Sequence, residues 1–285
     1  MSRMPVAPPP RTRTPEVGAP PIRLRIDLAY DGTPFHGFAR QPKHETVQGT
    51  LESALERLLG QVAPTTGAGR TDRGVHALAQ VVHLDVDASA PRVGRLLGSL
   101  GDLRTRLDAM VGDAITIWSI REVPEAFDAR FAATERRYRY AIADVPLIDP
   151  RDRHRYWHVR EGLGMGPMRS AARALVGEHD FASFCRRSDE RHRIRRIDAV
   201  TVARTSKGVV DVRLRGPAFC HQQVRSIVGS LVLVGRGERP PEWIADVLAA
   251  RDRAAAGPVA PAHGLTLEGV SYGRRFPAAP PSGVG

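Results

Sequence analysis

The 285-residue sequence predicts an α+β protein built on a mixed, mainly antiparallel sheet. Three observations carry this reading. Ile22, Leu24, Ile26, Leu28 and Tyr30 alternate with Arg23, Arg25, Asp27 and Ala29, the period of two that belongs to a strand. Val47, Leu51, Ala54, Leu55, Leu58 and Leu59 then recur at helical spacing. Further along, strand-like and helix-like stretches follow one another without the strict alternation of a doubly wound parallel sheet. The expectation is helices over one side of the sheet and a cleft for a partner on the other.

The elements follow in order. Ile22 to Tyr30 is a strand that buries one face. Thr46 is placed to cap the first helix, because its hydroxyl can accept an otherwise orphaned amide, and Gly60 is placed to stop it in a left-handed turn. Leu78 to Val86 and Arg137 to Ala143 are strand-like. Met168 to Val176 reads as an amphipathic helix stopped by Gly177, and Val200 to Leu214 as a hairpin around Ser206-Lys207-Gly208. A helix from Gln222 to Val234 buries Val224, Ile227, Val228 and Leu231, and Trp243, Ile244, Val247 and Leu248 mark another. Residues 1–21 and 277–285 carry prolines without apolar periodicity and read as flexible tails.

Composition narrows the class of partner. Lys and Arg number 42 against 31 Asp and Glu, a formal charge of +11, which favours a polyanion and nucleic acid foremost. No run of 18 apolar residues occurs, and the first 21 residues lack the apolar stretch of a secretory signal, so a cytoplasmic, membrane-free protein is expected. Cys185 and Cys220 are too few for a thiolate zinc cluster, and in that compartment they read as reduced, partly buried thiols rather than a disulfide. His76 and His83 have no carboxylate or cysteine at ligand spacing, so they read as packed or hydrogen-bonded side chains and no metal is expected.

The chemistry concentrates in Gly67-Ala-Gly-Arg-Thr-Asp-Arg-Gly-Val-His-Ala77. One carboxylate, Asp72, lies between Arg70 and Arg73 in a stretch where Gly67, Gly69 and Gly74 permit unusual backbone and close approach. An ordinary aspartate titrates at about 3.9, and a neighbouring cation favours its charged form further, so Asp72 is available as a nucleophile or base. If the stretch is extended, Arg70 and Asp72 project to one side and can meet. A dinucleotide fingerprint fails because Asp72 stands where a third glycine is needed, and a phosphate loop fails because Val75-His76 follows Gly74. A solvated surface ion pair remains the bland alternative.

The signature is longer than its acid. Gly69-Arg-Thr-Asp-Arg-Gly-Val-His-Ala77 with Gln80-Val-Val-His83 resembles the active-site motif of the TruA family of tRNA pseudouridine synthases. Tyr30-Asp-Gly-Thr-Pro-Phe-His-Gly-Phe38 with Gln41, Val47-Gln48, Phe127-Asp-Ala-Arg-Phe131, Arg136-Arg-Tyr-Arg-Tyr140, Asp180-Phe-Ala-Ser-Phe184, Ala218-Phe219 with His221, Val224-Arg-Ser-Ile-Val-Gly229 and Gly264-Leu265 agree in order. The resemblance spans about residues 22 to 275. It implies two similar lobes, residues 22–126 carrying the acid and 127–275 completing a positively charged RNA-binding cleft. It also implies isomerisation of uridine at positions 38, 39 and 40 of the tRNA anticodon stem-loop, without cofactor, by a homodimer.

The same resemblance assigns roles. Asp72 is the catalytic nucleophile. Tyr138 matches the active-site tyrosine that stacks on the base; its spacing from Tyr140 also suits two residues of one core face. Arg70 either holds Asp72 or fills the gap left by the extruded base. Arg225 pairs with Asp72 across the cleft through its planar fork, and Leu265 is an apolar wall for uracil or a core leucine. Arg186, Arg187, Arg191, Arg193, Arg195 and Arg196 form a basic stretch suited to the RNA backbone. Phe38, Arg73 and Gln223 depart from the family's usual Trp, Ala and Met, and Leu103 to Ile115 lacks its usual Asn and Pro. Competing readings are a noncatalytic RNA chaperone, pseudouridine formation at another RNA site, and a hydrolase releasing uracil.

Overall fold

The computed structural model describes residues 21–186, 193–274 and 276. The proline-rich stretches expected as tails lie outside the described residues apart from position 21, as do Arg187 and Arg191 of the basic stretch. The chain runs β1 (Ile22–Tyr30), α1 (Val47–Leu59), β2 (Thr66–Gly67), β3 (His76–Val86), α2 (Pro91–Leu97), α3 (Leu100–Met110), β4 (Ile115–Glu122) and β5 (Glu135–Asp144). It continues through β6 (Trp157–Val159), α4 (Met165–Arg173), β7 (Gly177–Asp180), β8 (Ile194–Ile197), β9 (Ala199–Arg204), β10 (Val210–Gly216), α5 (Gln223–Gly235), α6 (Trp243–Ala250) and β11 (Leu265–Ser271).

Nine strands form one sheet, ordered β4-β1-β3-β11-β5-β10-β9, with β2 on β3 and β6 on β5; β7 and β8 form a separate ribbon. Pairing is antiparallel except at β3–β11 and β5–β6, as expected of a mainly antiparallel α+β fold. The seam between the two halves of the sequence is the parallel contact of β11 with β3, where Thr266 faces His76 and Leu267 faces Ala77. On its other edge β11 runs antiparallel to β5, with Leu265 opposite Tyr140 and Leu267 opposite Tyr138.

Local chemistry explains the elements nearest the site. Thr46 caps α1 by accepting the Gly49 amide at 3.2 Å, and Gly60 closes it at φ 72°, both as the sequence predicts. Strand β1 differs from expectation on its second face. Arg25 is 1% exposed, ion-paired to Asp27 at 2.5 Å and lying over the rings of Tyr272 and Phe127 at 4.8 and 5.5 Å. A guanidinium can be buried there because aromatic faces and a carboxylate replace its water. Helix α4 ends at Arg173, short of Val176, with Gly177 at φ 117° beyond it.

The cysteines correct the sequence reading. Cys185 and Cys220, both buried, are joined in a disulfide with their Cα atoms 5.7 Å apart. The compartment argument that favoured free thiols could not see that the turn after Phe184 and the loop before α5 converge, with the Arg186 amide donating to the His221 carbonyl at 3.0 Å.

Helix α5 carries the densest core face, Val224, Ile227, Val228, Leu231 and Val232 being buried. A Cβ on Gly229 would lie 1.8 Å from the Pro258 carbonyl oxygen, so backbone passes where a side chain would stand. Gly to Ala inside a helix ordinarily stabilises, but here crowding outweighs propensity. Gly229→Ala should therefore lower the unfolding free energy by about 1–3 kcal/mol in urea titration; an unchanged or raised midpoint would contradict this packing.

Candidate active site

Asp72 sits in the loop between β2 and β3, and its surroundings fix that loop from several sides. Thr71 accepts the Phe38 amide on its carbonyl at 3.0 Å and shares a 2.8 Å hydrogen bond with the Tyr30 hydroxyl. Fully buried Gln80 donates to the Gly69 carbonyl at 2.9 Å. Val75 donates to the Asp72 carbonyl at 3.1 Å, closing a turn that Gly74 completes at φ 77°.

Both carboxylate oxygens of Asp72 are engaged. Arg225, near the start of α5, donates from Nη1 to Oδ2 at 2.7 Å, and His221 Nε2 lies 3.0 Å from Oδ1. Arg225 is itself aimed by its Nε donating to the Ala260 carbonyl at 2.7 Å. Burial pushes the Asp72 carboxyl up, but the hydrogen bonds and charge of His221 and Arg225 outweigh it and hold the group below the usual aspartate range. The acid is ionised.

A cavity of about 1090 Å³ opens over this pair, lined by Asp72, Tyr138, Arg225, Leu265 and Arg70 among others. All five residues singled out by sequence therefore meet at one place. Tyr138 is buried, with Phe219 edge-on to its ring at 5.2 Å and 86°. Burial raises its phenol, so it is a neutral donor, and among the described residues its hydroxyl has no hydrogen bond. Leu265 is buried at the start of β11.

Arg70 is placed differently from one of its two expected roles. It is exposed and makes no ion pair with Asp72, whose partners are Arg225 and His221. The alternation argument assumed a strand, whereas the segment turns at Asp72.

Sequence reasoning missed two site residues. His221 appeared only within a motif, because its pairing with Asp72 depends on the loop before α5 folding back. Arg136 enters the sequence reading only as the first residue of a motif, yet its buried guanidinium donates to the carbonyls of Ala68, Arg130 and Pro217, bridging three loops around the cavity. Arg186 and Arg195 of the basic stretch also line the cavity, while Arg196 pairs with Asp198 at 2.8 Å. Among the described lining residues are seven arginines and one carboxylate, Asp72.

The two histidines are hydrogen-bonded as read. His76 takes the Gly32 amide on Nδ1 at 3.1 Å with carbonyls of His154 and His263 at Nε2, and His83 takes the Ala129 amide at 3.0 Å.

The family model described as tRNA pseudouridine synthase matches residues 28–132 and 171–273. The chain belongs to this family. Its TruA branch is indicated by tRNA pseudouridine synthase A of Frankia casuarinae, 46% identical over 88% of this chain and 89% of that protein. The enzyme of the same name from Brevibacillus brevis is 43% identical over 88% of this chain and 99% of its own length. That of Myxococcus xanthus is 41% identical over 92% and 96%. Asp72, Arg70, Arg225 and Leu265 fall inside the residues matched by the tRNA pseudouridine synthase model, and Tyr138 lies between the two matched spans.

The depressed carboxyl gives a signed prediction. A group lowered on folding stabilises above its unfolded value and loses that contribution as pH falls through its folded value. The stability gap between the native protein and Asp72→Asn, by urea unfolding, should hold steady from neutrality to about pH 4 and narrow below it. A gap that persists unchanged into strong acid would contradict the assigned ion pairs.

Proposed function

We propose that this isomerase converts uridine to pseudouridine at positions 38, 39 and 40 of the tRNA anticodon stem-loop, with Asp72 as the nucleophile. The coarser activity, pseudouridine synthesis in tRNA, belongs to the family; the positions and the role of Asp72 are the proposal. The observation that carries it is that the single carboxylate among the described cavity residues is ionised and ligated on both oxygens beside a free phenol and an apolar wall.

The chemistry breaks the bond between uracil N1 and the ribose, turns the base and rejoins it through C5. It exchanges no electrons and needs no group donor, so a nucleophile, a proton carrier and a closed pocket suffice. Extruding the uridine costs about a few kcal/mol, which stacking and edge hydrogen bonds in the pocket return. Tyr138 stacks on the base and supplies its hydroxyl to the reacting groups. Leu265 confines the freed uracil, and Arg225 with His221 keeps the acid charged and oriented. Arg70, exposed and unpaired with Asp72, suits the role of filling the gap left by the base. Among the described residues that line the cavity Asp72 is the lone carboxylate, which disfavours hydrolysis, a reaction that ordinarily recruits two.

The surplus of arginine over acid around the cavity supports a phosphate-rich partner. Residues 22–126 form the lobe that carries the acid, and 127–275 the lobe that closes the cleft. Among the described residues no helix is long and apolar enough to cross a membrane, and a cytoplasmic location fits the substrate. The family resemblance supports a homodimer in which one tRNA touches both subunits.

Asp72→Asn should lower release of label from tRNA tritiated at uridine C5 by roughly 10³-fold or more, while tRNA affinity is kept or raised because a negative charge leaves a basic cavity. Undiminished release defeats the nucleophile, and label freed from other positions defeats the site choice. The logarithm of the affinity should also fall linearly with log salt, with a slope near −0.9 for each neutralised phosphate in duplex contact; a flat dependence contradicts the backbone contacts.

A further inference from the structure

Among the described residues Phe131 is the one aromatic ring in the set of exposed large apolar side chains, 80% accessible to solvent. It is not on a loose loop. Asp128 Oδ1 accepts both the Arg130 and the Phe131 amides at 2.7 Å, and the Arg130 carbonyl is held by Arg136 at 2.8 Å. The same Arg136 grips the Ala68 carbonyl, four residues before Asp72, so the backbone that carries the ring is tied to the catalytic loop. The Arg130 guanidinium lies 5.3 Å from the ring centroid, has no acidic partner among the described residues, and itself lines the cavity.

An exposed ring costs free energy in water unless something covers it in use. An exposed aromatic on an anchored turn, beside an unpaired guanidinium that lines a basic cavity, matches the stacking surface that nucleobases use: the ring takes the base face and the cation the adjoining phosphate. When the target uridine leaves the helical stack, the next base in the strand loses a neighbour. We propose that this neighbouring base stacks on Phe131, with Arg130 gripping the phosphate between the two nucleotides. Every base offers a π face, so the contact tolerates sequence and lets one enzyme serve different tRNAs.

The inference rests on the tRNA reading above but not on the role of Asp72. It is tested with an anticodon-arm RNA carrying 2-aminopurine beside the target uridine, bound to the full-length Asp72→Asn protein with and without Phe131→Ala or Phe131→Trp. Stacking on Phe131 alters the 2-aminopurine fluorescence on binding; Phe131→Ala should abolish that change and weaken RNA binding roughly ten-fold, and Phe131→Trp should restore both. In the protein with Asp72 intact, Phe131→Ala should raise KM by a similar factor with kcat within about two-fold, because the contact is made equally in ground and transition states. The thermal midpoint should not move, since the ring buries little. Unchanged fluorescence and affinity overturn the proposal. So does a variant that loses self-association while binding RNA normally, which would show the ring covered by a second copy of the chain. Asp72→Asn retaining turnover would overturn the nucleophile and leave this binding readout valid.

Discussion

A carboxylate drawn largely out of water must be met by charge from elsewhere in the chain, and that requirement organises this molecule. Asp72 belongs to the first half of the sequence; Arg225 and His221 come from around the start of α5, 153 residues later in the case of Arg225. Neither side is stable in place alone. The acid without its partners would protonate or face solvent, and Arg225 without the acid would be a half-buried cation satisfied only by the Ala260 carbonyl. The pairing therefore ties catalysis to the joining of the two halves.

A second cation performs the mechanical part. Arg136 is buried and, among the described residues, its guanidinium hydrogen-bonds only to carbonyl oxygens, those of Ala68, Arg130 and Pro217. Burial pulls its guanidinium down, yet an arginine stays charged, and the several oxygen dipoles replace the lost water. Because those oxygens belong to the catalytic loop, the Arg130 turn and the loop before α5, one planar group sets three separate backbones in register. Lysine has too few fixed donors for that geometry.

Much of the frame could be read from periodicity. β1 and α1 were predicted with their ends, since alternation, a threonine cap and a stop glycine are local signals. Helix α3 was missed because it buries only Leu103 and Leu107 behind a charged exterior, leaving almost no apolar stripe. Strand β11 was missed because its alternation breaks at a register shift between Leu267 and Gly269. The site divided along the same line. Asp72 lies in a compact motif, while His221 and the linking function of Arg136 exist only once distant loops meet. The expected contact of Arg70 with the acid failed because a strand period was applied to a turn, and the cysteine reading failed because compartment says nothing of distance.

The position of β11 has a consequence for how the protein is made. This strand comes close to the C-terminal end of the described chain, yet it fills the middle of the sheet, between β3 and β5. During synthesis the edge of β3 must wait, with its ladder groups unsatisfied, until Leu265–Ser271 have left the ribosome. Pairing over so long a sequence separation closes slowly. Catalytic competence thus waits for β11, and nascent chains that lack it present a bare strand edge that invites either a chaperone or a wrong partner.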